Sequence, residues 1–112
     1  MKHKQQGFTL IELVVVIVIL GILAAVATPK FVDLTSKAET ASGKGIVAAY
    51  QSAAVLQFAN NNGSAVPWSS ITAGVEVDPG DLSVDTSTSC TVDVKSGGST
   101  VASAAISATF CS

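Results

Sequence analysis

Residues 8–27 read FTLIELVVVIVILGILAAVA, twenty positions among which Glu12 carries the single charge. At 1.5 Å per residue a helix of this length spans about 30 Å, the thickness of a bilayer's hydrocarbon core. A carboxylate in such a segment costs about 2.5–3.5 kcal/mol on insertion, so Glu12 is read as a functional residue that needs a partner. On the N-terminal side stands a short hydrophilic leader, MKHKQQG, with Lys2, His3 and Lys4. Positive charge ahead of an apolar run keeps that end in the cytoplasm. An ordinary secretory signal has a shorter apolar region with small residues after it, at the cleavage site. Here the small residue, Gly7, precedes the run. A cut at that point removes only the charged leader and leaves the apolar segment on the chain.

Gly7-Phe8-Thr9-Leu10-Ile11-Glu12, continued as LVVVIVILGILAAVATPKF, resembles the N-terminus of a type IVa pilin. The longer run VVIVILGILAAVATPKFVDL is similar to the mannose-sensitive haemagglutinin (MSHA) type of major pilin, and the resemblance covers residues 4–34. It implies that a prepilin peptidase cuts between Gly7 and Phe8 and that the new N-terminal Phe8 is N-methylated. Elementary electrostatics fits this: cleavage creates an amine on Phe8 at the bilayer boundary, and pairing it with Glu12 offsets the cost of both charges. Phe8 and Glu12 stand four apart, one helical turn, so a lone subunit has the spacing to pair its own charges. In a growing filament, the resemblance implies, Glu12 attracts the Phe8 amine of a neighbour. It further implies a precursor in the inner membrane of a Gram-negative cell, an assembly machinery, and a helical homo-oligomer outside the cell.

The helical pattern continues past the apolar run. Small or apolar residues recur at Phe31, Leu34, Ala38, Ala41, Gly45, Ala48, Ser52, Val55 and Ala59, one helix face. A second stripe, Ile46, Val47, Tyr50, Ala54 and Phe58, flanks it. Two stripes point to a helix buried against its own head and against neighbours; the alternative is one wide core-facing side. The run Asn60–Gly63 is a stop signal, with Gly63 suited to a left-handed cap. Two positions weaken the first part of the helix. Pro29 lacks an N–H and crowds the preceding turn, and Gly21 costs about 1 kcal/mol relative to alanine. The resemblance implies that the stretch from Gly21 to Pro29 loses helicity in the filament. Gly43 and Gly45 form a second soft spot, for a bend or a close helix–helix approach.

Residues 63–112 change to Gly, Ser, Thr, Asp and Val. Candidate strands are Val75–Val77, Leu82–Val84, Ser89–Lys95 and Thr100–Phe110. Asp78-Pro79-Gly80-Asp81 is a turn and Ser96-Gly97-Gly98-Ser99 a hairpin loop. The last strand alternates, with Ala102, Ala104, Ile106, Ala108 and Phe110 predicted to lie on the helix. Cys90 and Cys111, an even pair in a small exported domain, are read as one disulfide rather than two free thiols. A hairpin centred on Gly98 places Cys90 opposite Ile106, leaving Cys111 about 17 Å further along the strand. Either the chain folds back after Phe110, or the pairing is shifted with a longer loop.

The expected fold is thus α+β: a leader (1–7), an apolar membrane or filament-core helix (8–28), its amphipathic continuation (29–62), and a β-rich head with a C-terminal disulfide (63–112). Four lysines outside the leader face eight carboxylates, and arginine is absent, which argues against a nucleic-acid partner. The single histidine lies in the leader, so His-based catalysis and the commonest metal ligands are not expected downstream of it. Glu76, Asp78, Asp81 and Asp85 follow no EF-hand spacing and are read as solvated loop charge. No enzyme, metal or cofactor is expected. The reading is a structural major subunit of a type IV pilus, serving surface attachment. A type II secretion pseudopilin is the rival and a minor pilin the third reading.

Overall fold

The computed structural model describes residues 6–112; Lys2, His3 and Lys4 lie outside the described residues. Five elements follow in order: α1 (Leu10–Asn60), α2 (Trp68–Ala73), β1 (Ser83–Asp85), β2 (Thr91–Ser96) and β3 (Ser99–Ala105). The chain forms two compact units, divided between Thr35 and Ser36, and α1 contributes to both.

The first unit is the apolar start of α1. Among its described residues only Ala27 is even half-buried, and the large side chains from Leu10 to Leu34 stand in the open. This one helix is long and apolar enough to cross a membrane. Pro29 is accommodated within it. Thr28 Oγ1 donates to the Ala24 carbonyl at 2.8 Å, supplying a donor in the turn where proline brings none.

The second unit holds the core. On α1, Gly43, Ile46, Val47, Tyr50 and Ala54 are buried, and Phe58 is half-buried. These are the flanking stripe of the sequence pattern plus Gly43. They pack with Val66, Ile71, Leu82, Val92, Val94, Ile106 and Cys111. All nine positions of the other stripe, Phe31 to Ala59, are exposed, so the pattern marks two distinct faces and not one wide one. Gly43 has a steric reason: a Cβ there meets Ala102 Cβ and Val101 Cγ2 at 3.1 Å each. The close approach foreseen at this glycine is therefore helix to sheet. The helix ends at Asn60, and both Asn62 (φ 53°) and Gly63 (φ 74°) turn left-handed, with Gly63 N–H donating to the Phe58 carbonyl at 3.0 Å.

The sheet is antiparallel in the order β1-β2-β3. Gly97 (φ 54°) and Gly98 (φ 87°) make the two-residue turn between Ser96 and Ser99, the left-handed geometry that matches strand twist. Thr91 pairs with Ala105 and Val94 with Ala102, and a bulge between Val94 and Lys95 shifts the register near the turn. As the register predicted, Cys90 stands against Ile106, whose N–H donates to its carbonyl at 2.7 Å.

Four expectations need correction. Val75–Val77 forms no strand; its half-buried valines pack on the core as irregular chain. The turn after it closes one residue later than read, with Leu82 N–H on the Pro79 carbonyl, so β1 starts at Ser83. The last strand stops at Ala105, not Phe110, and Ala108 is exposed. The chain turns through 107–110 and returns beside Val66, where Val66 N–H meets the Phe110 carbonyl and Ser112 N–H the Val66 carbonyl. The fold-back therefore comes before Phe110. Finally, α2 was unforeseen: Pro67 precedes it, Ile71 buries fully, and Trp68 Nε1 donates to the Thr86 carbonyl at 3.0 Å.

Candidate processing and assembly site

Gln6 to Thr9 form an exposed, non-helical segment, and α1 begins at Leu10. The Gly7–Phe8 bond is thus open and precedes the helix, and Phe8 is 87 % exposed. A Cβ built at Gly7 meets nothing within 4 Å, so packing within the chain does not require glycine there. Gly21 and Gly45 are equally open, yet each sits inside a helix where glycine costs about 1 kcal/mol against alanine. Their smallness answers to no contact among the described residues.

In the uncut chain Phe8 lies ahead of α1, and no helical turn joins it to Glu12. Glu12 instead takes part in a reciprocal cap. Thr9 N–H donates to Glu12 Oε2 at 2.8 Å, and Glu12 N–H donates to Thr9 Oγ1 at 3.3 Å. The first helical backbone bond, Leu13 N–H to the Thr9 carbonyl at 3.3 Å, completes the turn. This arrangement satisfies two otherwise orphaned N–H groups at the start of the helix and sets a negative charge against the positive end of its dipole. Thr9 is the capping residue that the sequence reading missed. Its signal was present: a threonine, then a glutamate three residues on, ahead of an apolar run.

At the other end of the chain, the disulfide joins Cys90 to Cys111, with Cα atoms 5.9 Å apart. Cys90 takes a left-handed φ of 59° as the chain enters β2. The outer face of the sheet is polar. Lys95 Nζ donates to Asp85 Oδ2 at 2.8 Å, Ser87 donates to Asp85 Oδ1 through both N–H and hydroxyl, and Ser103 Oγ donates to Asp93. The Lys95 hydrogen bond, then Ser87, hold the Asp85 carboxyl well below the usual carboxylate range, and Asp85 in turn raises Lys95. Asp78 is occupied with Gly80 N–H. Among the described residues no three metal-binding side chains converge.

Residues 2–28 match the model of the prokaryotic N-terminal methylation motif. The chain is 43 % identical over 82 residues to a type IV major pilin protein, PilE1, of Neisseria gonorrhoeae, an alignment covering 73 % of this chain and 48 % of that one. It is 56 % identical over 50 residues to the type IV narrow pilus major component PilA5 of Thermus thermophilus, covering 45 % and 43 % of the two chains. A fimbrial protein of Neisseria meningitidis serogroup B is 44 % identical over 75 residues, covering 67 % and 43 %. The chain spans about half the length of the curated relatives it matches. No solved structure matches it. Its N-terminal part is thus related to type IV pilins and carries their methylation motif.

Proposed function

We propose that this chain is a type IV pilin, a structural subunit that is cut between Gly7 and Phe8, N-methylated on Phe8, and polymerised through α1 into an extracellular filament. The observation that carries this reading is the apolar start of α1, whose large side chains stand exposed among the described residues, preceded by an open Gly7–Phe8 bond and carrying Glu12 as its one carboxylate up to Ala27. Such a surface, far larger than a monomer ordinarily exposes to water, belongs in a bilayer or against other chains. The open space around Gly21 and Gly45 supports close approach of neighbouring helices there, since small residues let helix backbones come together. In the filament Glu12 pairs with the Phe8 amine of a neighbour, and the stretch from Gly21 to Pro29 gives up helical structure. Among pilins, residues 15–34 favour an MSHA-type major subunit with an adhesive role.

Mass spectrometry of the purified chain should show a start at methylated Phe8; a retained Met1 would overturn the processing step. Electron microscopy of material sheared from cells separates the pilin from a secretion pseudopilin. Long fibres built mostly of this chain support the former. Absence of fibres together with a secretion defect on deletion supports the latter.

A further inference from the structure

We propose that the free edge of β3 is a self-association surface, on which β3 of a second copy of this chain adds antiparallel to make one sheet across two heads. Among the described residues β3 pairs with β2 alone. Ile106 N–H donates to the Cys90 carbonyl, so the backbone groups of Ala104 point to β2 and those of Ser103 and Ala105 point away from it. Both residues are exposed, and their outward groups form no backbone bond among the described residues. A groove lined by Gln51, Val55, Ala105, Ile106, Ser107 and Phe110 opens between α1 and the end of the strand. A row of unpaired N–H and C=O groups is a template for another strand, and chains ordinarily guard it with charge, proline or shortness. The opposite edge, β1, has all three: it is 3 residues long, with Pro79, Asp81 and Asp85 in it or just ahead of it. β3 has none of them. It runs for 7 residues, and no charged side chain occurs from Ser96 to Ser112.

A second β3 is the occupant that matches this edge. In antiparallel register about Ala104, Ser103 of each copy faces Ala105 of the other, and the outward groups meet in about four hydrogen bonds. The distribution of charge favours the same contact. The head's carboxylates, Glu76, Asp78, Asp81, Asp85 and Asp93, lie on β1, on β2 or on the chain ahead of them. Joining at β3 therefore sets the two acidic sides at opposite ends of the combined sheet, whereas joining at β1 brings them together. With β1 guarded, the pairing stops at two copies. Each copy presents the same patch, so the contact is twofold, while an open filament repeats unlike patches head to tail. The twofold axis stands perpendicular to the sheet. Residues 36–60 of α1 run along β3, from Gly43 at Ala102 to Val55 near Phe110, and so point in opposite directions in the two copies. The paired chains then belong to two filaments that lie side by side and point opposite ways. This last step rests on the filament proposed above; the edge pairing does not.

Photo-crosslinking and filament imaging test this on the full chain. A benzophenone side chain at position 105, in concentrated detergent-solubilised chain, should give a covalent dimer whose crosslink maps by mass spectrometry to residues 103–105 of the second copy. No dimer, or a crosslink that maps elsewhere, would overturn the pairing. Sheared wild-type filaments should lie paired in electron micrographs, the two members pointing opposite ways. Ala105→Lys sets a charge on the edge of each copy and should lower the paired fraction at least about fivefold, with filament length unchanged. Ala105→Ser adds no charge, and Ala108→Lys adds one beyond the strand, so both should pair as wild type does. Undiminished pairing in Ala105→Lys, equal loss in Ala108→Lys, or pairs that point the same way would each sink the inference. Absence of filaments from wild type would overturn the filament reading instead, and the crosslink then decides the edge pairing alone.

Discussion

Replacing Glu12 by alanine removes the one charge in residues 8–27 and one half of the cap on α1. Loss of a single cap costs about 1 kcal/mol, too little to release so apolar a helix from a bilayer. Glu12→Ala is therefore expected to leave the chain in the membrane fraction and to abolish fibres. Membrane fractionation alongside electron microscopy checks this, and normal fibre numbers would refute the pairing. Asp85 offers a second test at this scale. Its folded value is depressed by Lys95 and Ser87, so its contribution is complete above the ordinary carboxylate value near about 4 and lost as pH falls. That of Lys95 is raised, so its contribution is complete at neutral pH and lost as pH rises above its ordinary value near about 10.4. Both side chains are about one-third exposed, so salt screens the pair. Asp85→Asn should flatten the acid limb of head stability, measured by denaturant midpoint against pH, with a smaller difference in high salt.

Two glycines on α1 should respond in opposite ways. At Gly43 any side chain meets Ala102 and Val101 at 3.1 Å, so Gly43→Val should cost about 1–3 kcal/mol of head stability through overpacking. At Gly45 there is open space, so Gly45→Ala should raise stability by up to about 1 kcal/mol while reducing filament yield. Denaturation in detergent reads the first effect, and fibre counts read the second. The sequence pattern sets Gly45 on the outward stripe, and two positions along a helix turn Gly43 to the opposite side; that β3 packs against Gly43 is visible only in the structure. The hairpin was legible because Gly97-Gly98 dictates its turn and the turn dictates that Cys90 meets Ile106. The end of β3 was not. The alternation continues to Phe110, but Phe110 reaches Phe58 from a turn, with ring centroids 5.2 Å apart, and the backbone is drawn off to Val66. That tertiary demand outweighs a local pattern. Helix α2 escaped notice because six residues leave no room for a period to appear.

Across the whole chain, the division of labour was legible where the physics is one-dimensional. A run of apolar residues announces an unpartnered helix by length alone, and Glu12 announces a partner by its cost. The identity of the partner that Glu12 has in this fold, Thr9, required coordinates to notice although the motif was in plain view. The head is small and leans on its disulfide, which spans 21 positions of sequence between Cys90 and Cys111. Changing both cysteines to serine should lower head stability by about 3 kcal/mol, read as a lower denaturant midpoint, and free the segment that runs beside Val66 to faster amide exchange.

The bare first half of α1 has a consequence for how this protein tolerates change. Lipid tails are as apolar as leucine, so exchanging lipid for a neighbouring helix gains little from hydrophobicity itself. Valine, isoleucine and leucine at positions such as 15, 17 and 19 are then nearly interchangeable, because none is fitted to a pocket of its own chain. Discrimination between partners falls on the positions that are small or polar, Thr9, Glu12 and Gly21 among them. In the proposed filament the apolar positions of residues 8–27 tolerate exchange among themselves, so chains that share the small and polar positions are expected to enter one another's filaments despite unrelated heads.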